Sequence, residues 1–328
     1  MRCLVTGATG FVGANLVREL LSAGHQVTAS GMPGSETRWL AELPITIRLA
    51  DLTAPGAARG LVDGHDWVFH VAGDTSTWSG LAERRRLVNA VVPALLADAA
   101  LESGVKRFLH TSTTDVLGYH RDGRPVTEDG GDQLFTGIGY HYADTKLAGE
   151  IAVRHRIERG LDAVIVYPGF MIGPYDYTLQ IGRVIRALQQ GHRYPCPPGT
   201  TSWCDVRAVA RGMIAALEHA GTRGSSYILA GPNHSYHEVF SRMAELVGAA
   251  KRPLPLPGSI VRAAGLFGEL TAMVTRTAPE LDPGLARYLS LPQATSSVRA
   301  IAELGYYPGD IDKAILDAAR WYEEHLPL

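Results

Sequence analysis

Cysteine is scarce: Cys3, Cys196 and Cys204 are the only three in 328 residues. That is too few and too unpatterned for a disulfide framework or a zinc site. Reduced thiols and a cytoplasmic location are expected. An excess of charge is lacking too. Thirty-one Lys and Arg stand against 33 Asp and Glu, for a formal charge of −2. A nucleic-acid binder needs a concentrated basic face to neutralise phosphates, so no nucleic-acid partner is expected. Long apolar runs are also missing. The most apolar late stretch, residues 260–273, carries Arg262 and Glu269 and falls short of the ~20 residues of a membrane span. The apolar run at residues 3–6 ends in glycines rather than a cleavage site, unlike a signal peptide. No membrane partner is therefore expected. His-Glu-x-x-His and Gly-x-Ser-x-Gly patterns are absent, which argues against a metal-dependent or serine hydrolase, and no metal is expected.

What remains is an ordinary globular composition, 46% hydrophobic and 20% charged. The length suits two domains or one large α/β unit with an appended lobe. Short apolar runs at residues 3–6, 26–29, 45–49, 67–71, 107–111 and 163–167 read as buried strands. Helical patterns at 12–23, 82–102 and 142–158 lie between them, the first two ending at Gly24 and Gly104 as left-handed caps. Strands apolar on both faces and alternating with helices imply a doubly wound parallel sheet, an α/β fold of Rossmann type. Residues 1–172 are expected to form this dinucleotide-binding domain with the catalytic groups. Residues 173–328 form a smaller, mostly helical substrate lobe that can return elements to the sheet. That lobe reads as helices at 179–189, 207–219, 237–247, 259–274, 284–289, 298–304 and 311–325, with strands near 203–206 and 226–229.

The first strand enters the first helix through Thr6-Gly7-Ala8-Thr9-Gly10-Phe11-Val12-Gly13. Glycines three apart allow a tight turn, a close approach of diphosphate to backbone, and close helix–sheet packing. The helix N-terminus offers N–H groups and a positive dipole end. A glycine triplet alone is weak evidence, but its strand–turn–helix context supports a cofactor here. An acidic residue at the end of the second strand would bond a ribose 2′-hydroxyl. The chain has Ser30 there, with Arg38 soon after, which tilts the expectation from NAD toward NADP. Asp51 and Leu52, after the third strand, are candidates to meet the adenine; a simple strand-end cap is the alternative for Asp51.

Tyr142 and Lys146 stand four apart on a predicted helix and share a face. An ammonium near a phenol favours the phenolate and brings its pKa from about 10 toward working pH. Lysine is rare, four against 27 arginines, and a compact ammonium is not replaced by a planar guanidinium. Thr111, Ser112 and Thr113 close the fifth strand at the edge where such sheets bind ligands. Alone, a Tyr/Lys pair is more often a surface accident and a hydroxyl-rich strand end more often a turn. Together they point to a proton donor and an oxygen holder.

In this combination the chain resembles the extended short-chain dehydrogenases/reductases of the NAD-dependent epimerase/dehydratase superfamily. It is most similar to the branch of dihydroflavonol reductases, 3β-hydroxysteroid dehydrogenases and nucleotide-sugar epimerases. The resemblance covers about the first 230 residues, the remainder only in outline. It implies Thr113, Tyr142, Lys146 and Asn89 as catalytic residues, with threonine at 113 where serine is usual. It implies that Val71, Ala72 and Gly73, together with Thr111, line the cofactor. The stretch Tyr167-Pro168-Gly169-Phe170-Met171 would pass the nicotinamide carboxamide. Ala208 stands where the family often has aspartate.

The implied activity is an NAD(P)-dependent reduction or oxidation of a small carbonyl or alcohol. Aromatic residues Tyr119, Phe135, Tyr140, Phe170, Tyr175 and Tyr177 are candidates to line its pocket. A nucleotide-sugar epimerase or dehydratase with retained NAD is the first rival; Arg183, Arg186, Arg193 and Arg207 are its candidate phosphate clamps. A non-catalytic nucleotide sensor is the second, though it has no need of Thr113, Tyr142 and Lys146 together. A homodimer through the Tyr–Lys helix is implied by the resemblance alone.

Overall fold

The computed structural model describes residues 1–326. In chain order, β1 (Arg2–Thr6) leads to α1 (Phe11–Ser22), β2 (Gln26–Gly31), β3 (Thr46–Leu49), α2 (Ala57–Val62) and β4 (Trp67–His70). Then come α3 (Ala82–Arg86), α4 (Val92–Glu102), β5 (Arg107–Thr111), α5 (His141–Glu158), β6 (Ala163–Pro168) and β7 (Phe170–Ile172). The later chain gives α6 (Gly182–Gln189), β8 (Pro195–Cys196), β9 (Thr200–Asp205), α7 (Val206–Glu218), β10 (Ser226–Leu229), β11 (Asn233–Ser235) and α8 (Tyr236–Leu246). It closes with β12 (Leu254–Pro255), α9 (Gly258–Thr275), α10 (Pro283–Tyr288), β13 (Pro292–Gln293), α11 (Val298–Leu304) and α12 (Ile311–His325).

Seven parallel strands form the main sheet in the order β10-β6-β5-β4-β1-β2-β3. The Rossmann-type α/β expectation is met. From β1 the chain steps outward to β2 and β3, then crosses to β4 and continues the other way. The order thus reverses between β1 and β4, and such a switch point opens a crevice at the carboxyl ends of the strands. The glycine turn and the ends of β4 and β5 all meet there.

Burial explains the layers. Strands β4, β6 and β10 are buried along their whole length. α1 and α7 cover one face with Leu16, Val17, Val209 and Met213; α4 and α5 cover the other with Leu96, Ala100 and Val153. The run at 45–49 is a strand, but an edge strand whose residues 46–49 are exposed, not a buried one. It lies outermost, so water covers what a further strand would. The helix at 82–102 is interrupted by a π-helical turn at Leu87–Val91, of the kind often found at functional sites. α2 was not legible, being short and bounded by Gly56 and Asp63.

Residues after 172 both add to the main sheet, through β10, and build smaller sheets of their own. One joins β11, β9 and β13, with β7 on β9; the other pairs β12 with β8. A second core gathers Trp203, Tyr236, Phe240, Ile185 and Tyr322 from β9, α8, α6 and α12. No helix among the described residues is long and apolar enough to cross a membrane. All three cysteines are free and buried.

Candidate active site

At the glycine turn, Gly7 has φ +67°, a left-handed conformation that glycine adopts without strain. A Cβ on it would stand 2.6 Å from the Ala72 backbone, and one on Gly13 would stand 2.1 Å from the Gly7 carbonyl oxygen. The spacing is therefore demanded by packing of turn, β4 end and α1. The N-cap of α1 is Gly10, and no side chain caps it or places a carboxylate in its first turn. Those N–H groups are left for a ligand, as an anion-binding helix terminus requires. Thr6 Oγ1 bonds His70 Nδ1 at 2.8 Å and accepts from Ala72 N at 3.4 Å, which fixes Val71, Ala72 and Gly73 beside the turn. The Tyr177 hydroxyl donates to the Thr9 carbonyl, and Tyr175 lies under the Arg18 guanidinium. Both aromatics brace the turn.

α5 explains the next group. Its buried positions are Ala143, Lys146, Gly149, Glu150 and Val153, a helical stripe that is small where helices touch and charged in the middle. Gly149 is small by necessity: a Cβ there would meet the Asn89 carbonyl oxygen at 2.0 Å. Lys146 Nζ donates to the Thr111 carbonyl at 2.6 Å. Burial draws its pKa down from 10.5 to about 8, with Glu150 opposing. The same ammonium, after burial, helps keep the stacked His70 and His110 rings neutral.

Tyr142 is half-buried, and the nearby Thr113 hydroxyl favours its ionised form. Burial first, then the Asp115 carboxylate, holds the phenol above its ordinary pKa, while Thr113 opposes them. Lys146 is not among the groups that shift it. The expectation that the ammonium acidifies the phenol is thus not met here; Nζ donates to the Thr111 carbonyl instead. Thr113 also caps a turn, accepting from Asp115 N at 3.3 Å.

Two groups that sequence reasoning passed over complete the arrangement. The Asp115 carboxylate is buried and accepts the hydroxyls of Tyr140 at 2.9 Å and Tyr288 at 2.7 Å. Phe135 packs edge-on to both rings. Tyr288 arrives from α10, a contact without any signal in local sequence. Glu150 accepts Ser112 Oγ at 2.7 Å, the Tyr167 hydroxyl at 2.8 Å and Arg154 Nε at 3.0 Å. Its place four residues after Lys146 was the available clue.

Asn89 sits in the π turn. Its Oδ1 accepts from Asp74 N at 2.8 Å, and its Nδ2 donates to Asp74 O at 2.8 Å and Thr145 Oγ1 at 3.2 Å. Its amide therefore latches the segment after β4 onto α5. Tyr167 points its ring into the core and its hydroxyl at Glu150; Pro168 and Gly169 carry the chain past Ala230 to Phe170 and Met171 on β7. Asp51 Oδ1 accepts both the N–H and the hydroxyl of Thr53, at 2.9 and 2.7 Å, which is the local cap. Leu52 is buried against Leu61 and Val62. Ser30 is buried at the end of β2, and Arg38 lies exposed beyond it, 3.4 Å from Glu36.

The residues present fit a nicotinamide dinucleotide. The uncapped α1 terminus suits a diphosphate. A Cβ on Gly73 would stand 3.6 Å from Asn89 Oδ1 and 3.9 Å from Lys146 Nζ, so the glycine lies directly beside both groups. Thr111 Oγ1 is buried with no hydrogen-bond partner among the described residues. No group of three or more His, Cys, Asp or Glu among the described residues could hold a metal.

Residues 3–230 match the model of the NAD dependent epimerase/dehydratase family. The chain belongs to that family. It is similar to the sterol demethylase protein B of Methylococcus capsulatus, 29% identical over 99% of both chains. It is likewise similar to a putative dihydroflavonol 4-reductase of Synechocystis, 31% identical over 98% of this chain and 94% of that one. Among solved structures, gox2253 superposes with a TM-score of 0.84 at 30% identity, covering 99% of each chain. As an epimerase/dehydratase family member this protein is an enzyme of the nicotinamide-dependent oxidoreductase, epimerase and dehydratase group. The non-catalytic sensor expectation falls away.

Proposed function

We propose that the protein is an NAD(P)-dependent oxidoreductase that interconverts a carbonyl and an alcohol on a small, partly apolar molecule. What carries this reading is the grouping of Thr113, just past the end of β5, with Tyr142 and the buried Lys146 ammonium one helical turn apart on α5. The cofactor, when bound, supplies the two-electron chemistry at the reacting carbon. Tyr142 donates the proton to the substrate oxygen in the reductive direction. Thr113 hydrogen-bonds that same oxygen, so the developing charge meets a preplaced donor. Lys146 and Thr111 hold the nicotinamide ribose, Gly7 to Gly13 hold the diphosphate, and Asn89 positions α5. Residues 173–328 supply the substrate lobe.

Three of the four candidate phosphate clamps support a carbonyl over a nucleotide sugar as the first reading. A diphosphate clamp needs free guanidinium groups. Arg207 is held by Asp205 and Asp317, both at 2.7 Å; Arg183 bonds the Leu179 carbonyl at 3.0 Å; Arg186 bonds the Leu326 carbonyl; among the described residues, the exposed Arg193 is the one of the four left for a phosphate. Around Asp115 the wall is aromatic. Relatives named as reductases of 2-alkyl-3-oxoalkanoate and of a farnesylated quinoline support a lipophilic carbonyl substrate. NADP is favoured, because no carboxylate stands at Gly31 where β2 ends and Arg38 is exposed nearby. A homodimer through α4 and α5, where Leu95 and Ile151 are exposed, is part of the proposal.

The test is a thermal-shift comparison of NAD and NADP, followed by carbonyl and nucleotide-sugar screens with the preferred one. Stoichiometric loss of reduced-nicotinamide absorbance with a carbonyl supports the reading. Turnover of a nucleotide sugar with no net change in cofactor overturns it in favour of the epimerase.

A further inference from the structure

α9 is amphipathic the wrong way round for a helix that serves only its own core. Toward the protein it turns its smallest residues. Gly265 sits where a Cβ would meet Ala286 Cβ at 2.8 Å, and Gly268 where one would meet the Leu281 carbonyl at 2.2 Å; Ala272 is buried beside them. Outward it turns its largest: Ile260, Leu266, Phe267, Leu270, Met273 and Val274 are all at least half exposed, Phe267 at 68% and Val274 at 84%. Packing small residues inward lets α9 lie close on α10, and it leaves a continuous apolar strip in water. Exposed strips of this kind mark interaction surfaces.

The charges around the strip are predominantly positive. Arg262 lies within the helix and Arg276 at its C-cap; Lys251 and Arg252 stand just ahead of it, and all four are exposed. The one acidic residue of the helix, Glu269, is partly buried and accepts from Ser79 Oγ at 3.4 Å. Glu280, past the helix end, faces Arg183 at 3.8 Å. A two-fold dimer with α9 antiparallel across this strip would set Arg262 of each copy toward Arg276 of the other, since an isologous contact pairs residue i with j and j with i. An anionic surface meets them with opposite charge instead.

We propose that α9 is a membrane-docking helix, lying in the interface of an anionic bilayer with Phe267, Leu270 and Val274 inserted and Arg262 and Arg276 at the headgroups. The sequence argued rightly that this segment does not span. It also implied no membrane partner, and the proposal departs from that expectation: a helix too short and too charged to cross a bilayer can lie on one. The position fits the fold. The C-terminal end of α9 and the turn into α10 hold the segment after β4, through Ser79 to Glu269 and Thr77 to Asp282. That segment starts at Asp74, which Asn89 fastens to α5. A docked α9 therefore stands beside the mouth of the site.

The experiment is co-sedimentation of the full chain with vesicles of phosphatidylcholine alone and of phosphatidylcholine with phosphatidylglycerol. Binding is expected to the anionic vesicles, weakened by salt. Phe267→Glu with Leu270→Glu should lower the bound fraction about tenfold or more, with circular dichroism and the cofactor thermal shift unchanged. Arg262→Glu with Arg276→Glu should abolish the preference for anionic lipid. Wild-type protein that stays in the supernatant overturns the proposal, as does binding that both double variants retain. A dimer that the Phe267 and Leu270 variant dissociates, without vesicle binding, also overturns it and assigns the strip to self-association. None of these outcomes touches the oxidoreductase reading, which is measured in solution without lipid.

Discussion

Replacing Glu150 with glutamine separates charge from shape at the centre of α5. The carboxylate accepts three side chains, Ser112, Tyr167 and Arg154, at 2.7 to 3.0 Å. Glutamine keeps the volume and can still pair with the two hydroxyls. What is lost is the charge-assisted bond to Arg154, worth about 1.5–3 kcal/mol when well buried. Arg154 is 39% exposed along its side chain, so solvent screening reduces the stability loss to about 1–2 kcal/mol. The larger consequence concerns Lys146, which burial lowers to about 8 while Glu150 raises it. The wild-type kcat/KM, which reports the free enzyme, should fall as pH rises through about 8, because the ammonium deprotonates. Without the carboxylate that limb moves to lower pH. A one-unit move corresponds to about 1.4 kcal/mol.

Stability follows the opposite sign. The folded pKa of Lys146 lies below its unfolded value of 10.5, so between about 8 and 10.5 the unfolded chain holds more protons and this group makes stability rise with pH. In Glu150→Gln that window extends to lower pH. The assay is a pH profile of kcat/KM on protein verified as folded by circular dichroism. A folded variant whose alkaline limb stays in place, or moves up, would refute the electrostatic reasoning.

Tyr142→Phe should reduce kcat about 100- to 10,000-fold, the range for loss of a general acid, with the cofactor thermal shift retained; full turnover would remove the residue from its role. Gly13→Ala forces a Cβ to 2.1 Å from the Gly7 carbonyl, and should cost about 1–3 kcal/mol in urea unfolding and erase the cofactor shift. Arg38→Ala should weaken NADP about tenfold and leave NAD unchanged, the difference a charge-assisted phosphate contact makes; equal effects on both cofactors would count against it. Asp115→Asn should alter KM more than cofactor affinity, because Tyr140 and Tyr288 lose the carboxylate that holds them.

Local pattern was enough for the sheet, the glycine turn and the Tyr142–Lys146 pair. Each depends on neighbours within a few residues: strand length, glycine spacing, and one turn of helix. The edge character of β3 was not legible, since a strand's burial depends on whether another strand follows it in space. The pairing of Asp115 with Tyr288, 173 residues away, was decided by tertiary structure alone. The partners of Asp51, Leu52 and Tyr167 (Thr53, the Leu61–Val62 core and Glu150) were likewise set by how the chain packs. The sequence also held the composition of α9, apolar with one cation and one carboxylate, but not its orientation. Which face of a helix meets water depends on what packs behind it, and here the small residues Gly265, Gly268 and Ala272 took the inner side.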